Sequence, residues 1–296
     1  MSAKLNLEFY SGEDLYSDGA IEDELLNIIK NEKNIEDVLV NDNRWALLYH
    51  LSPIRQNILN WYPFKDNASV LEIGGGCGAI TGVLCQKAHD VKVVELSKRR
   101  SMINYERNKH CDNLEIIVGN LNDIAFSEKF DYITLIGVLE YAGSFTEGKQ
   151  PYKDFLKKIR SLLKEDGKLL IAIENRYGLK YFAGAREDHT AKMFDGITGY
   201  VGNESVCTFG KLELEKLLHE AGYRSLSFYY PHPDYKMPFE IYSDDFLPSV
   251  DTLLSSAPNY DNDRYKLYSE ALAMQGIVEN GQFPFFANSF FVECGV

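Results

Sequence analysis

Between Val70 and Ala79 an apolar run ends in a string of glycines, Val-Leu-Glu-Ile-Gly-Gly-Gly-Cys-Gly-Ala. Gly74, Gly76 and Gly78, with Gly75 among them, let the backbone turn sharply and approach a ligand with no Cβ in the way, ahead of a helix N-terminus. Such a loop receives something flat or charged. Glu95 closes the next apolar run, 21 positions after Gly74, a spacing at which one carboxylate can accept hydrogen bonds from both hydroxyls of a ribose. The glycines alone leave two readings open, because Gly74-x-Gly76-x-x-Ala79 also satisfies a dinucleotide fingerprint loosely. Glu72 separates them: a carboxylate there repels a pyrophosphate and suits an ammonium group. The ligand is predicted to be cationic rather than phosphorylated.

A second set of chemically capable residues lies at Glu174-Asn175-Arg176 and Glu187-Asp188-His189. His189 is the best general-base candidate, since an imidazole titrates near neutrality and Glu187 or Asp188 beside it can orient the ring. The other reading of His189 is a structural hydrogen bond within a lid. Glu174, Asn175 and Arg176 suit acceptor hydroxyls or a phosphate, Arg being fitted to bidentate recognition; alternatively Glu174 and Arg176 pair with each other. Tyr235, in Tyr229–Pro238, belongs to a run of aromatics and prolines suited to a rigid wall for a flat acceptor or to plain packing. Arg55, in Tyr49–Asn57, is placed to meet a carboxylate or to lie on a solvated helix face. No motif calls for a metal.

These residues need a scaffold. From Ala68 onward, short β-branched runs alternate with helical periodicity, which predicts a parallel sheet with crossover helices. The strand-like runs are Ser69–Ile73, Val91–Leu96, Leu114–Val118, Tyr132–Val138, Lys168–Ile173, Ser225–Tyr230 and Ser289–Cys294, seven in all. Helices are expected at Ala79–Ala88, Lys98–His110, Pro151–Lys164 and Lys211–Ala221. The third is expected to end in the turn Glu165-Asp166-Gly167; the fourth has Thr208 as its expected cap and Gly222 just past its end. Residues 1–66 read as an N-terminal helical cap. Within them Ile21, Leu25, Ile28 and Ile29 share a helix face, and a second periodic stretch, Trp45–Trp61, is broken at Ser52-Pro53. Residues 67–296 form the main domain, with insertions at 176–207 and 231–288 too long to be plain connections.

Composition narrows the function. With 31 Lys plus Arg against 44 Asp plus Glu, the 296-residue chain carries a net charge of −13. Nucleic-acid binding draws its affinity from Lys and Arg, and the only dense basic run is Lys98-Arg99-Arg100, so a nucleic-acid partner is not expected. No stretch approaches the ~18 apolar residues of a membrane span, and the opening segment lacks a basic patch followed by an apolar run; a cytoplasmic protein is expected. Five cysteines without CxxC spacing predict reduced thiols, neither disulfides nor a zinc site.

In Glu72-Ile73-Gly74-Gly75-Gly76-Cys77-Gly78 and the acidic Glu95, the chain resembles the class I S-adenosylmethionine-dependent methyltransferases, whose first motif reads ExGxGxG. The resemblance covers Ala68 to Gly222 and resumes at the last two strands. It implies a Rossmann-like α/β fold with a seven-stranded sheet, the last strand inserted antiparallel, and S-adenosylmethionine as cofactor. It implies that Gly74–Gly78 follow the methionine portion, that Glu95 with Leu96 holds the ribose, and that Asn120 and Leu121 flank the adenine. Asn120 stands where many relatives carry Asp. Arg55 and Gly137 complete the expected cofactor set. Enzymes that methylate exocyclic amines of bases carry Asn/Asp-Pro-Pro-Tyr after the fourth strand; Gly137-Val138-Leu139-Glu140-Tyr141 stands there instead. Asn175-Arg176-x-Gly178-Leu179-Lys180, Glu187-Asp188-His189 and Pro231-x-Pro233-Asp234-Tyr235-Lys236 resemble bacterial methyltransferases of cell-surface glycan synthesis. This second resemblance implies O-methylation of a sugar or sugar-linked molecule, with a natural-product or protein acceptor, or cofactor binding without turnover, as the alternatives.

Overall fold

The computed structural model describes residues 2–14, 17–31, 34–146, 148–202, 205–252 and 264–296. Two compact units divide them: Met1–Leu135 with Leu162–Gly167, and Ile136–Ser161 with Lys168–Val296. Nine strands are present among the described residues, two more than the seven expected.

In the first unit β1 (Lys4–Asn6), β2 (Ser69–Ile73), β3 (Asp90–Glu95), β4 (Leu114–Val118) and β5 (Phe130–Ile136) lie in the order β1-β4-β3-β2-β5. All four pairings are parallel. The chain leaves β2 through the helix Thr81–Lys87 to β3 and through Lys98–Asn108 to β4, then returns to the far side of β2 for β5. That reversal makes the end of β2 a switch point, where open α/β sheets bind ligands. Val70, Leu71, Val91 and Val93 are fully buried, as strands covered on both faces require.

The helices Ile21–Asn31 and Trp45–Leu51 seat Leu25, Ile28, Leu47 and Leu51 against Cys77 and Ile103. Leu25 and Leu47 are wholly buried, each worth ~1.5–3 kcal/mol. The same packing buries an ion pair, Arg100 Nε to Glu22 Oε1 at 2.8 Å. The break at Ser52-Pro53 is real: Ser52 Oγ accepts from Ile54 N, and a short 3-10 turn, Pro53–Gln56, follows.

In the second unit β6 (Leu163–Glu174, of which the part from Lys168 onward belongs to this unit), β7 (Ser225–His232), β8 (Glu240–Ser243) and β9 (Ser289–Gly295) lie in the order β6-β9-β7-β8. The last strand, β9, runs antiparallel to both neighbours. The helices Pro151–Ser161 and Lys211–Ala221 belong to this unit. Two local expectations are corrected. Glu165–Gly167 lies inside β6 rather than forming a turn, because the helix stops at Ser161 and Leu163 already begins the strand. Gly210, not Thr208, caps Lys211–Ala221: Gly210 N donates to Glu213 Oε2, whereas Thr208 is buried against the Tyr200 hydroxyl. Gly222 ends that helix at φ +101°, as expected. The insertion 176–207 holds the short helix Leu179–Phe182, and 231–288 holds β8 and the helices Glu270–Glu279 and Phe283–Phe286; 203–204 and 253–263 lie outside the described residues. All five cysteines are free, and no helix among the described residues is long and apolar enough to cross a membrane.

Candidate active site

The first unit gathers its candidate residues at the C-terminal ends of β2, β3 and β4. Register places Ile73 beside Val94 and Glu95 beside Val118, so Glu72, the glycine loop, Glu95 and Asn120 share one edge. Gly75 and Gly78 are glycines for space: a Cβ on Gly75 would sit 2.3 Å from Val93 Cγ1, and one on Gly78 2.5 Å from Asn104 Oδ1. Gly76, at φ +50°, has nothing within 4 Å of where a Cβ would be. Its N–H donates to Glu95 Oε2 at 2.8 Å, and Ser97 N donates to Oε1 at 3.0 Å. The Glu95 carboxylate is thereby fixed, with its remaining lone pairs available to hydroxyl donors. Burial pushes its pKa up, the backbone N–H groups opposing.

Glu72 sits beneath the loop, 4% exposed, accepting from Thr81 Oγ1 at 2.6 Å. Thr81 in turn accepts from Asn104, whose own amide oxygen accepts from Asn108. Burial pushes the Glu72 pKa up to about 7, the Thr81 hydroxyl and Arg55 pulling the other way. Arg55 is itself buried, its guanidinium 3.8 Å over the Tyr49 ring, and its Nε and Nη1 have no hydrogen-bond partner. An unsatisfied buried guanidinium is costly unless an anion completes it. Asn120 Oδ1 accepts from Asn122 N, capping a short 3-10 turn and keeping one lone pair for another donor. Leu121 is buried and Leu96 half-buried.

The second unit centres on His189. Glu187 accepts from the His189 and Thr190 backbone N–H groups at 2.7 Å through Oε2, and its Oε1 meets both His189 Nδ1 and the Tyr200 hydroxyl at 3.0 Å. With Nδ1 so engaged, Nε2 points at Glu140 Oε1 (3.6 Å) and Glu174 Oε2 (4.0 Å). Burial disfavours the imidazolium, but Glu174, Glu140 and Glu187 outweigh it and hold the ring's pKa well above its ordinary value. Burial also raises the Glu140 pKa. Of the two expected orienters Glu187 acts; Asp188 instead binds Lys180, Lys236 and the Tyr181 hydroxyl.

Glu174 pairs with Lys236 and accepts from the Tyr235 hydroxyl at 3.2 Å. Arg176, two residues on, does not pair with it: Arg176 Nε donates to Gly196 O and Nη1 reaches Glu213. Asn175 is a strut, both amide hydrogens going to Phe285 O and Ala287 O and its oxygen accepting from Tyr177 N. Those bonds leave no donor for an acceptor molecule. Gly137, at φ +70°, makes room for Tyr235, whose hydroxyl would be 2.8 Å from a Cβ there. Sequence reasoning missed Glu140, Lys180, Asp234 and Lys236 as members of this cluster. The one signal for Glu140 was an acid standing inside the apolar run Val138–Tyr141.

A family model described as a methyltransferase domain matches residues 46–227. The chain belongs to that methyltransferase family. It is 34% identical over 114 residues, 38% of this chain and 51% of the relative, to an uncharacterized methyltransferase of Staphylococcus carnosus (strain TM300). Over 159 residues, 52% of this chain and 40% of the relative, it is 24% identical to a probable (S)-tetrahydroprotoberberine N-methyltransferase 2 of Papaver bracteatum. The matched regions thus span about half or less of these relatives. Among solved structures, phosphoethanolamine N-methyltransferase 1 of Haemonchus contortus, in complex with phosphoethanolamine and S-adenosylhomocysteine, shares the fold with a TM-score of 0.51 at 16% identity; the match covers 93% of this chain and 48% of that one. The family's cofactor is S-adenosylmethionine, and the first unit fits it. Its donors and acceptors are of the required kinds: Arg55 Nε and Nη1 are buried without an acceptor and match a carboxylate, buried Glu72 matches an ammonium, and Glu95 matches hydroxyl donors.

Proposed function

We propose that the protein transfers the methyl group of S-adenosylmethionine to a hydroxyl of a sugar or sugar-linked small molecule. The C–S bond of the sulfonium breaks as the new C–O bond forms, leaving S-adenosylhomocysteine and a methyl ether, and the hydroxyl proton goes to His189 Nε2. Residues 1–66 serve the cofactor through Arg55, while the insertions 176–207 and 231–288 serve the acceptor through Glu174, Arg176, Glu187, Asp188 and Tyr235. The observation that carries this reading is the setting of His189: Nδ1 is committed to Glu187 at 3.0 Å, so Nε2 is the nitrogen presented for proton uptake. The carboxylates around it make the neutral imidazole a stronger base. The likeness of Asn175–Lys180 and Pro231–Lys236 to glycan-modifying enzymes supports the choice of acceptor.

A second reading, an amine acceptor, is favoured by the surplus of carboxylates around His189 and by the relative named as an N-methyltransferase. The deciding experiment supplies methyl-labelled S-adenosylmethionine with sugar nucleotides and glycosides in one series and small amines in another, and identifies products by mass spectrometry. Methyl ethers uphold the proposal. Methylated amines alone overturn the hydroxyl assignment, and near-normal turnover by His189→Ala removes the base.

A further inference from the structure

The cluster around His189 holds more buried negative charge than its own cations balance. Glu140, Glu174, Glu187, Asp188 and Asp234 stand against two ammonium groups, Lys180 and Lys236, which bind Asp188, Asp234 and Glu174, and one imidazole, His189, so that five carboxyl groups face three cationic or cation-forming side chains. Two carboxylate oxygens, Glu140 Oε2 and Glu174 Oε2, are buried with no hydrogen-bond partner, on residues 1% and 0% exposed. A buried carboxylate oxygen without a donor is held against a desolvation cost, so something cationic is the natural complement. We propose that Glu140, Glu174 and His189 bind a divalent first-row transition-metal ion of the Mn2+, Fe2+ or Zn2+ type.

The geometry argues for an ion. Metal–ligand bonds of about 2.0–2.2 Å put neighbouring ligand atoms roughly 3.0–3.5 Å apart and opposite ones about 4.2 Å apart. His189 Nε2 lies 3.6 Å from Glu140 Oε1 and 4.0 Å from Glu174 Oε2, and one ligand atom from each of the three falls within 4.8 Å of the others. Small side-chain adjustments close such a shell. Two carboxylates with one imidazole form a mixed oxygen–nitrogen donor set suited to these ions.

The surroundings are those of a metal-binding histidine. Glu187 accepts from Nδ1 at 3.0 Å and is itself fixed by Tyr200 and two backbone N–H groups; such a carboxylate fixes the tautomer and raises the basicity of the ligating nitrogen. Tyr235 and Lys236 hold the other Glu174 oxygen, leaving Oε2 to the ion. Three protein ligands leave coordination positions open. Binding of the ion does not depend on the proposed function, whose base it would displace. Ion and proton compete for the same Nε2 lone pair, so an ion held there would take the place of His189 as the base and would supply Lewis acidity to an oxygen bound to it.

The test titrates Mn2+ into the full chain, stripped with a chelator, and follows loss of the free-ion signal by electron paramagnetic resonance. One site per chain is expected, its bound Mn2+ showing spin-echo modulation from an imidazole 14N nucleus. His189→Ala and Glu174→Gln should each weaken binding by at least about tenfold, while Asp244→Asn, a carboxylate outside the cluster that binds Lys211, should leave it unchanged. Weak binding equal in wild type and His189→Ala, or bound Mn2+ without 14N modulation, overturns the site. The modulation is read on the wild-type chain, so it decides even if a variant fails to fold. Titrating S-adenosylhomocysteine into the same samples tests the cofactor assignment separately.

Discussion

Cofactor binding should release a proton from Glu72. Its pKa, pushed up to about 7 by burial, makes the carboxyl about nine-tenths protonated at pH 6.0 and about one-quarter protonated at pH 7.5. If the methionine ammonium requires the ionised form, the apparent affinity scales with the ionised fraction and rises roughly eightfold over that interval, about 1.3 kcal/mol. The sign is opposite for stability. A carboxyl whose folded pKa lies above its unfolded 4.5 favours the folded state at low pH, and that contribution is lost as pH rises towards about 7. S-adenosylhomocysteine is the ligand of choice, because it lacks the sulfonium charge and keeps the ammonium. Calorimetric titration at pH 6.0 in two buffers of different ionisation heat should report about 0.9 protons released per ligand. Glu72→Gln keeps an oxygen for Thr81 and should bind weakly with no pH dependence. Wild-type affinity that is flat between pH 6.0 and 7.5, or an equal slope in Glu72→Gln, would refute the placement of the ammonium at Glu72.

Three further outcomes follow from the same geometry. Glu95→Ala removes the expected ribose acceptor and the anchor of the Gly76 and Ser97 N–H groups, and should raise the S-adenosylhomocysteine dissociation constant about 10- to 100-fold; a change under about twofold in calorimetry would contradict it. Gly75→Ala forces a methyl group to within 2.3 Å of Val93 and should cost about 1–3 kcal/mol of stability by overpacking, read as a lowered denaturation midpoint. Lys180→Met leaves Asp188 and Asp234 buried without their shared ammonium, for an expected loss of about 3–5 kcal/mol at neutral pH. Because burial of Asp188 is outweighed by Lys180 and Lys236, its pKa is held well below the usual range, so its stabilising contribution is present at neutral pH and lost as pH falls through the folded value. The Lys180→Met deficit should therefore shrink in acid, which parallel denaturant melts at two pH values would reveal.

What could be read from the chain alone divides along the range of the interactions. Ser69–Ile73 and Leu114–Val118 match the structure residue for residue, because buried strands announce themselves by local apolar runs and the glycine string by local backbone need. β1 and β8 were missed for the same reason: Lys4–Asn6 is too short to show a period, and Glu240–Ser243 becomes a strand only by pairing with β7. The second cluster is a matter of long range. Glu140 follows β5, Glu174 ends β6 and His189 lies in an insertion, so no spacing could signal that their side chains converge. Adjacency even misled, since Glu174 and Arg176 look like a pair while the fold sends one to Lys236 and the other to Glu213. The physical difference is that a glycine loop is specified by its own backbone, whereas a charge is specified by whatever the fold brings to it. In this chain the cofactor cradle is of the first kind. The His189 cluster, with two carboxylate oxygens still seeking a partner, is of the second.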